Sequence, residues 1–394
     1  VPLVVRYATE AGEIREQRAL LTAATGEVTL ETPGKVQWVY ANADAIGFYR
    51  LDPSLALLAG LLDHALPRLT PAERMALLED QWALVRNGTS DIARFLRVLT
   101  AFGGECDFAV VDAIAGRLDF LGYRLVEEGD RPAFGRQVAR LLGPRLAELG
   151  WEPAPGEDQA TGARRATVVA ALGDTARLSE VLAEAERRQP AEAKDPRAID
   201  PNLAGVIVRL AARRGDAARF DAYLATYRAR KAAHAPPQES ARYLYALAVF
   251  EAPDLVCRVL DLCLEGDVVP QEQLGIMLQQ LLGQRAAREE TWRFVKANWK
   301  AIQSKLGPMG LSRLVRATAG LPVELRDDVA AFFAANPVEE AKRALAQALE
   351  SLDLDTELKR REGGRLAAWL REQVPAPEPE PATPVAAAPA ARPS

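Results

Sequence analysis

From residue 53 to about residue 373 this chain repeats one pattern: apolar residues at three- and four-residue spacing, broken by capping residues and glycines. Such a run predicts helix after helix. Leu55, Leu58, Leu62 and Leu66 form its first apolar stripe. Thr70-Pro71-Ala72-Glu73 reads as a capping box with proline in the first turn, Asn336-Pro337-Val338-Glu339 repeats the device, and Asp200-Pro201 opens another helix. Gly103-Gly104, Gly143, Gly173, Gly215 and Gly283 fall where helices are expected to end. Aromatic residues make up only 6% of the chain, while Ala, Leu, Arg and Glu dominate, a mix that favours helices over sheets. Helices of ordinary length joined by short connections pack antiparallel to their neighbours, and no fixed residue period governs this series. The predicted fold is mainly α: an irregular HEAT-like α-solenoid of antiparallel helix pairs, shaped as a concave bowl.

The first fifty residues read differently. Residues 1–7, 13–21 and 27–31 have strand character, separated by Glu10-Ala11-Gly12 and Gly26, and Pro33-Gly34 turns the chain into a further strand. There Val36, Trp38 and Tyr40 alternate with Gln37 and Val39. Gly47 permits a bend, Phe48-Tyr49-Arg50 is expected to form one more short strand, and Asp52-Pro53 to cap the first helix. The expected organisation is a small partial β-sandwich over 1–51, a helical domain over 52–373, and a tail over 374–394. The tail is so rich in proline and alanine that disorder is expected.

The same residues exclude several kinds of chemistry. The 49 basic and 54 acidic side chains are interspersed, which offers no basic face for nucleic acid. No run approaches the roughly 20 apolar residues of a membrane helix, and no basic-then-apolar signal segment opens the chain. Cys106, Cys257 and Cys263 lie in apolar periodic segments without a C-x-x-C pair, arguing against a disulfide framework and for a reducing, cytoplasmic setting. His64 and His234 are far apart and neither adjoins a glutamate; His64 is expected at a helix surface and His234 in a loop. There is no G-x-S-x-G, no cysteine with a local histidine and no phosphate-loop glycine pattern. The acid pairs Asp327-Asp328 and Glu339-Glu340 read as solvated charge at helix starts. The chain by itself is therefore expected to have no catalytic residues, metal ligands or cofactor. It opens on Val1 rather than Met, directly in strand-like sequence, which suggests a fragment or a processed chain.

A family resemblance runs through these segments in order. Asn42, Gly47, Phe48, Tyr49 and Arg50 resemble the N-x-x-x-x-G-[FY]-Y-R segment of zinc aminopeptidases of the puromycin-sensitive and endoplasmic-reticulum type, at their hinge between β-sandwich and helical domain. Arg74-x-x-Leu77-x-x-Asp80, Glu105-Cys106-Asp107-Phe108, Leu149-Gly150-Trp151 with Arg164-Arg165, Ile199 to Leu203, Gln238-Glu239 and the Trp292 to Trp299 cluster resemble later segments of the same helical domain. The tryptophan usual after the Glu105 segment is missing. The segment Gly310 to Arg316, followed by Phe332-Phe333, resembles a helix whose arginine faces the catalytic cavity, which makes Arg313, with Arg316, the candidate peptide-binding residues. Ser312 stands where that family has glycine.

The resemblance implies a non-catalytic region that closes over a zinc-binding catalytic domain, on the same polypeptide or a separate chain, and touches the distal part of peptide substrates. The zinc would sit in that other domain, and the whole enzyme would remove N-terminal residues from peptides. Two alternatives stand beside it: a freestanding helical-repeat scaffold binding a peptide or protein partner, and a separately encoded subunit of a split aminopeptidase.

Overall fold

The computed structural model describes residues 1–32, 34–266 and 268–373. The tail over 374–394 and the turn at Pro33 lie outside the described residues. The chain is mainly α-helical, with one small antiparallel sheet at its start.

Strands β1 (Pro2–Thr9), β2 (Ile14–Leu20) and β3 (Val36–Tyr40) form the sheet in the order β2-β1-β3. Val5 faces Gln17 and Arg6 faces Tyr40. Pairing with β3 involves only Arg6 to Thr9, so Pro2 to Val5 keep one backbone edge without a strand partner among the described residues. Val5, Tyr7, Trp38 and Tyr40 are buried, as the alternation of β3 predicts. The first helix, Leu55–Gly60, lies directly on this sheet: a Cβ at Gly60 would come within 2.7 Å of the Gln37 carbonyl oxygen, so glycine permits the approach.

Several local expectations are corrected. Residues 27–31 form no strand, because side chains of β1 and β2 take up their backbone groups. The Gln17 amide bridges the Thr29 carbonyl and the Glu31 N–H at 2.9 Å each, and the Tyr7 hydroxyl donates to the Glu31 carbonyl at 2.7 Å. Phe48-Tyr49-Arg50 is a bend held by side-chain bonds described below. The first helix is capped by Ser54, whose hydroxyl accepts from Leu57 N–H; Asp52 instead pairs with Arg94 at 3.1 Å. A π-helical turn at Leu61–Ala65 rotates the apolar stripe, so Leu58, Leu61 and Ala65 are buried while Leu55 is exposed. Asn336 closes the Arg326–Ala335 helix through its amide to the Phe332 carbonyl, and caps no helix start. Gly143 lies inside the Arg131–Leu149 helix. The capping box at Thr70-Glu73 and the Asp200 cap form as the sequence predicts.

Successive helices touch both the next and the next but one. Phe108–Arg124 packs on Gln159–Ala170, that helix on Pro201–Arg213, and that one on Pro237–Leu247. Each helix thus buries one face against its predecessors and another against its successors, the packing of a stacked array. Two apolar cores result, one running from Ala8, Trp38 and Tyr40 to Leu210, the other from Val208 to Ala344. The last helix, Lys342–Glu372, spans both. Ala344 belongs to the second core, whereas Leu358, Leu366 and Leu370 return to the first. At 31 residues it is about 46 Å long, enough to bridge them. Burying each of those leucines contributes roughly 2 kcal/mol to the closure. No described helix is long and apolar enough to cross a membrane.

Candidate functional site

The segment that joins sheet to helices is held by short-range hydrogen bonds. Asn42, 3% exposed, accepts from Gly47 N–H through Oδ1 at 2.7 Å and donates to the Gly47 carbonyl through Nδ2 at 3.1 Å. A Cβ at Gly47 would lie 2.1 Å from the Tyr49 ring and 2.8 Å from Asn42 Oδ1, so any other residue would displace these side chains from the closed loop. The Tyr49 hydroxyl donates to the Ala41 carbonyl at 2.6 Å, and Arg50 pairs with Asp80 at 2.9 Å. Phe48 is left fully exposed beside Ile46.

One step below sits Glu73, wholly buried at the start of the Pro71–Asn87 helix. Its Oε1 accepts from Arg6 at 2.6 Å and from Asp44 N–H at 2.7 Å, and its Oε2 accepts from Thr70 N–H at 2.8 Å. A residue legible as half of a capping box thus also ties β1 and the turn after β3 to the helices.

Segments that stood apart in sequence prove to be partners. Arg74 holds Glu105 through two parallel bonds of 2.6 and 2.9 Å. Burial would raise the Glu105 carboxyl, but Arg74 and the N–H groups of Asp107 and Cys106 hold it below its ordinary value. Arg165, 1% exposed, donates to the carbonyls of Leu149 and Gly150 and pairs with Glu157, fixing the turn before Trp151. Trp292 and Trp299 pack edge-on against Phe332. Asp327 and Asp328 lie in the first turn of the Arg326–Ala335 helix as the sequence predicts, and half-exposed Asp328 is also bound by Lys296 at 2.8 Å and accepts from the Trp292 indole.

The candidate peptide-binding residues lie on the helix Pro308–Ala317. Arg313 and Arg316 are both exposed, and neither makes a hydrogen bond or ion pair among the described residues. Arg313 borders a shallow depression of about 380 Å3 with Glu272, Ile276 and Met309. Burial raises the Tyr245 phenol, and the charge of Arg313 acts against that rise. His64 and His234 are exposed and separate, as the sequence predicts.

Sequence reading missed a cleft of about 900 Å3 lined by residues of six elements between Phe108 and Leu282 and of the loops that follow them. Arg131, Arg177, Arg209, Arg213, Arg242 and Arg285 all border it. Their carboxylate partners are shared. Asp174 serves Arg209 at 2.7 Å and also Arg213, Glu251 serves Arg177 at 2.6 Å and Arg213 at 2.9 Å, and Glu128 serves Arg285 at 3.3 Å. Burial would raise the Asp174 carboxyl, yet Arg209 and Arg213 hold it below the ordinary carboxylate value. Burial and the neighbouring Asp174 push Asp119 the other way. The i,i+4 pair Arg209 and Arg213 was the visible signal, but charged pairs at that spacing occur on most solvated helices.

Among the described residues no three His, Cys, Asp or Glu side chains converge as metal ligands, so these residues do not fit a zinc ion and no catalytic step is routed through one. An array of helices with a small sheet at its head, buried ion pairs at the junction and an arginine-lined cleft define a mainly helical domain. Residues 38–354 match the ERAP1-like C-terminal domain, and the chain belongs to that family. It is 25% identical to aminopeptidase 2 of Candida albicans over 88% of this chain and 38% of that protein, and 26% identical to aminopeptidase M1 of Arabidopsis thaliana over 86% and 39%. It is 30% identical to the puromycin-sensitive aminopeptidase of Caenorhabditis elegans over 44% of this chain and 18% of that one. The chain spans about two fifths of the length of the first two relatives, aligned to their C-terminal part.

Proposed function

We propose that this chain is the non-catalytic C-terminal region of a zinc metallo-aminopeptidase, which caps the active site of a zinc-binding domain and contacts the distal part of peptide substrates. The whole enzyme would hydrolyse N-terminal residues from peptides. The family match carries this reading, since it spans both the junction segment and most of the helical array. Two surface features support it: the backbone edge of Pro2 to Val5 without a strand partner among the described residues, and exposed Ile46 and Phe48 in the junction loop, which suit a covering domain. In this reading residues 1–51 complete a β-sandwich, Asn42, Gly47, Phe48, Tyr49 and Arg50 form the hinge to the HEAT-like helices of 52–373, and unpaired Arg313 and Arg316 receive the peptide.

The test has two arms. The chain with added zinc should not hydrolyse an aminoacyl anilide. Combined with a zinc-binding catalytic domain of this family, Arg313→Ala should raise KM for peptides of about ten residues while leaving the anilide unchanged. Equal effects on both substrates would refute the distal contact, and turnover by the chain alone would refute its non-catalytic role.

A further inference from the structure

We propose that the arginine-lined cleft is a binding site for a small polyanion carrying several phosphate groups. Six guanidinium groups border one cavity, and their acidic partners, Asp174, Glu251, Glu128 and Glu192, are shared among them, with Glu192 also held by Arg230. With Asp119 in the cleft lining and Arg230 counted, seven guanidinium groups stand against five carboxylates, so cation is in excess. The Nε–H groups of Arg177, Arg209 and Arg285 are buried and have no acceptor in the structure. These donors lie beneath the cleft surface and become available to a bound anion only where the guanidinium groups turn toward it.

Two backbone features point to the same place. Arg177 has φ +57°, a left-handed conformation that a branched or long L side chain adopts only when its surroundings hold it there. It follows the π-helical turn Ala171–Thr175, which supplies Asp174. Across the cleft Gly205 sits inside the Pro201–Arg213 helix, where glycine is unfavourable relative to alanine, and a Cβ there would meet nothing within 4 Å. Packing does not demand that glycine; it leaves the space open.

The ligand class follows from number and size. Arginines from several elements, spread around about 900 Å3, cannot all serve one carboxylate or one inorganic phosphate. Phosphate groups on one small scaffold present many acceptor oxygens and enough charge for the guanidinium forks. Linear and cyclic polyphosphates share this chemistry.

Calorimetric titration of the 394-residue chain at low ionic strength with inorganic tripolyphosphate, and separately with inositol hexakisphosphate, tests the site. Saturable one-to-one binding of either, weakened by added salt, is expected, and the tighter of the two tells a linear from a cyclic source. Gly205→Leu narrows the cleft while improving the helix, so its fold is secure, and it should weaken binding by about tenfold or more. Arg209→Gln should do the same, whereas Arg360→Gln, on an exposed helix face paired with Glu357, should not. Absence of saturable binding by both anions, binding untouched by Gly205→Leu, or citrate binding as tightly as tripolyphosphate would each overturn the proposal.

Discussion

Arg86 and Asp355, 269 residues apart, are joined by an ion pair of 2.6 Å, and the same carboxylate takes Arg124 at 3.0 Å. Asp355 is 2% exposed and sits midway along the last helix, so this triad fastens the end of the chain to its beginning. Nearby, buried Glu362 accepts from Ile92 N–H at 2.9 Å, and Arg361 donates to the carbonyls of Val85 and Arg86. Closure of the helical array thus rests on polar groups as well as on Leu358, Leu366 and Leu370.

Asp355→Ala should therefore destabilise the chain by about 3–5 kcal/mol, because it strands the buried Arg124 guanidinium without a counter-charge. Urea unfolding monitored by circular dichroism measures it. A loss below about 1 kcal/mol would mean that the triad is dispensable for closure.

Glu73→Ala removes a helix cap, the Arg6 pair and the anchor of Asp44 together. A loss of about 2–4 kcal/mol is expected, with hydrogen exchange speeding first in β1 and β3 rather than across the whole chain. Uniform acceleration across all helices would contradict the assignment of Glu73 as the tie between sheet and helices.

Gly47→Ala drives a methyl group into the Tyr49 ring and Asn42 Oδ1. The expected cost is about 1–3 kcal/mol, and Asn42→Ala should give a similar loss without being additive, since both break one clip. Additive losses in the double variant would show that the two residues act separately.

Acid sensitivity follows from signs. Asp174 and Glu105 have folded values below their ordinary 3.8 and 4.5, so each contributes stability that is complete above those values and lost as pH falls through the lower, folded ones. Asp80, raised by burial against the opposing pull of Arg50, and Asp119 carry the opposite sign: their strain when ionised is relieved as pH falls through their raised values. The urea midpoint should hold or rise slightly towards pH 5 and then drop steeply below pH 4, and Glu105→Gln should flatten that drop. A midpoint falling steadily from pH 7 would show that other groups dominate.

Much of this architecture could be read locally. Thr70 and Glu73, or Asp200 with Pro201, lie within a few residues of the N–H groups they cap, so sequence spacing suffices to place those helix starts. Where a side chain from elsewhere competes, the local reading fails. Gln17 turns residues 27–31 from strand to strap, and Arg94 takes Asp52 from its expected cap. The family segments were likewise visible one by one, but that Arg50 meets Asp80 and Arg74 meets Glu105 is a property of packing.

By itself, then, the sequence determined the helical class, the sheet at its head, the lack of a histidine-glutamate zinc motif and the resemblance that became the family match, because each depends on composition or on residues a few positions apart. The tertiary structure alone decided that the last helix returns to the first core and that arginines from three helices and two loops surround one cleft. Both are sums of contacts between residues tens to hundreds of positions apart, whose joint charge and shape no local spacing encodes.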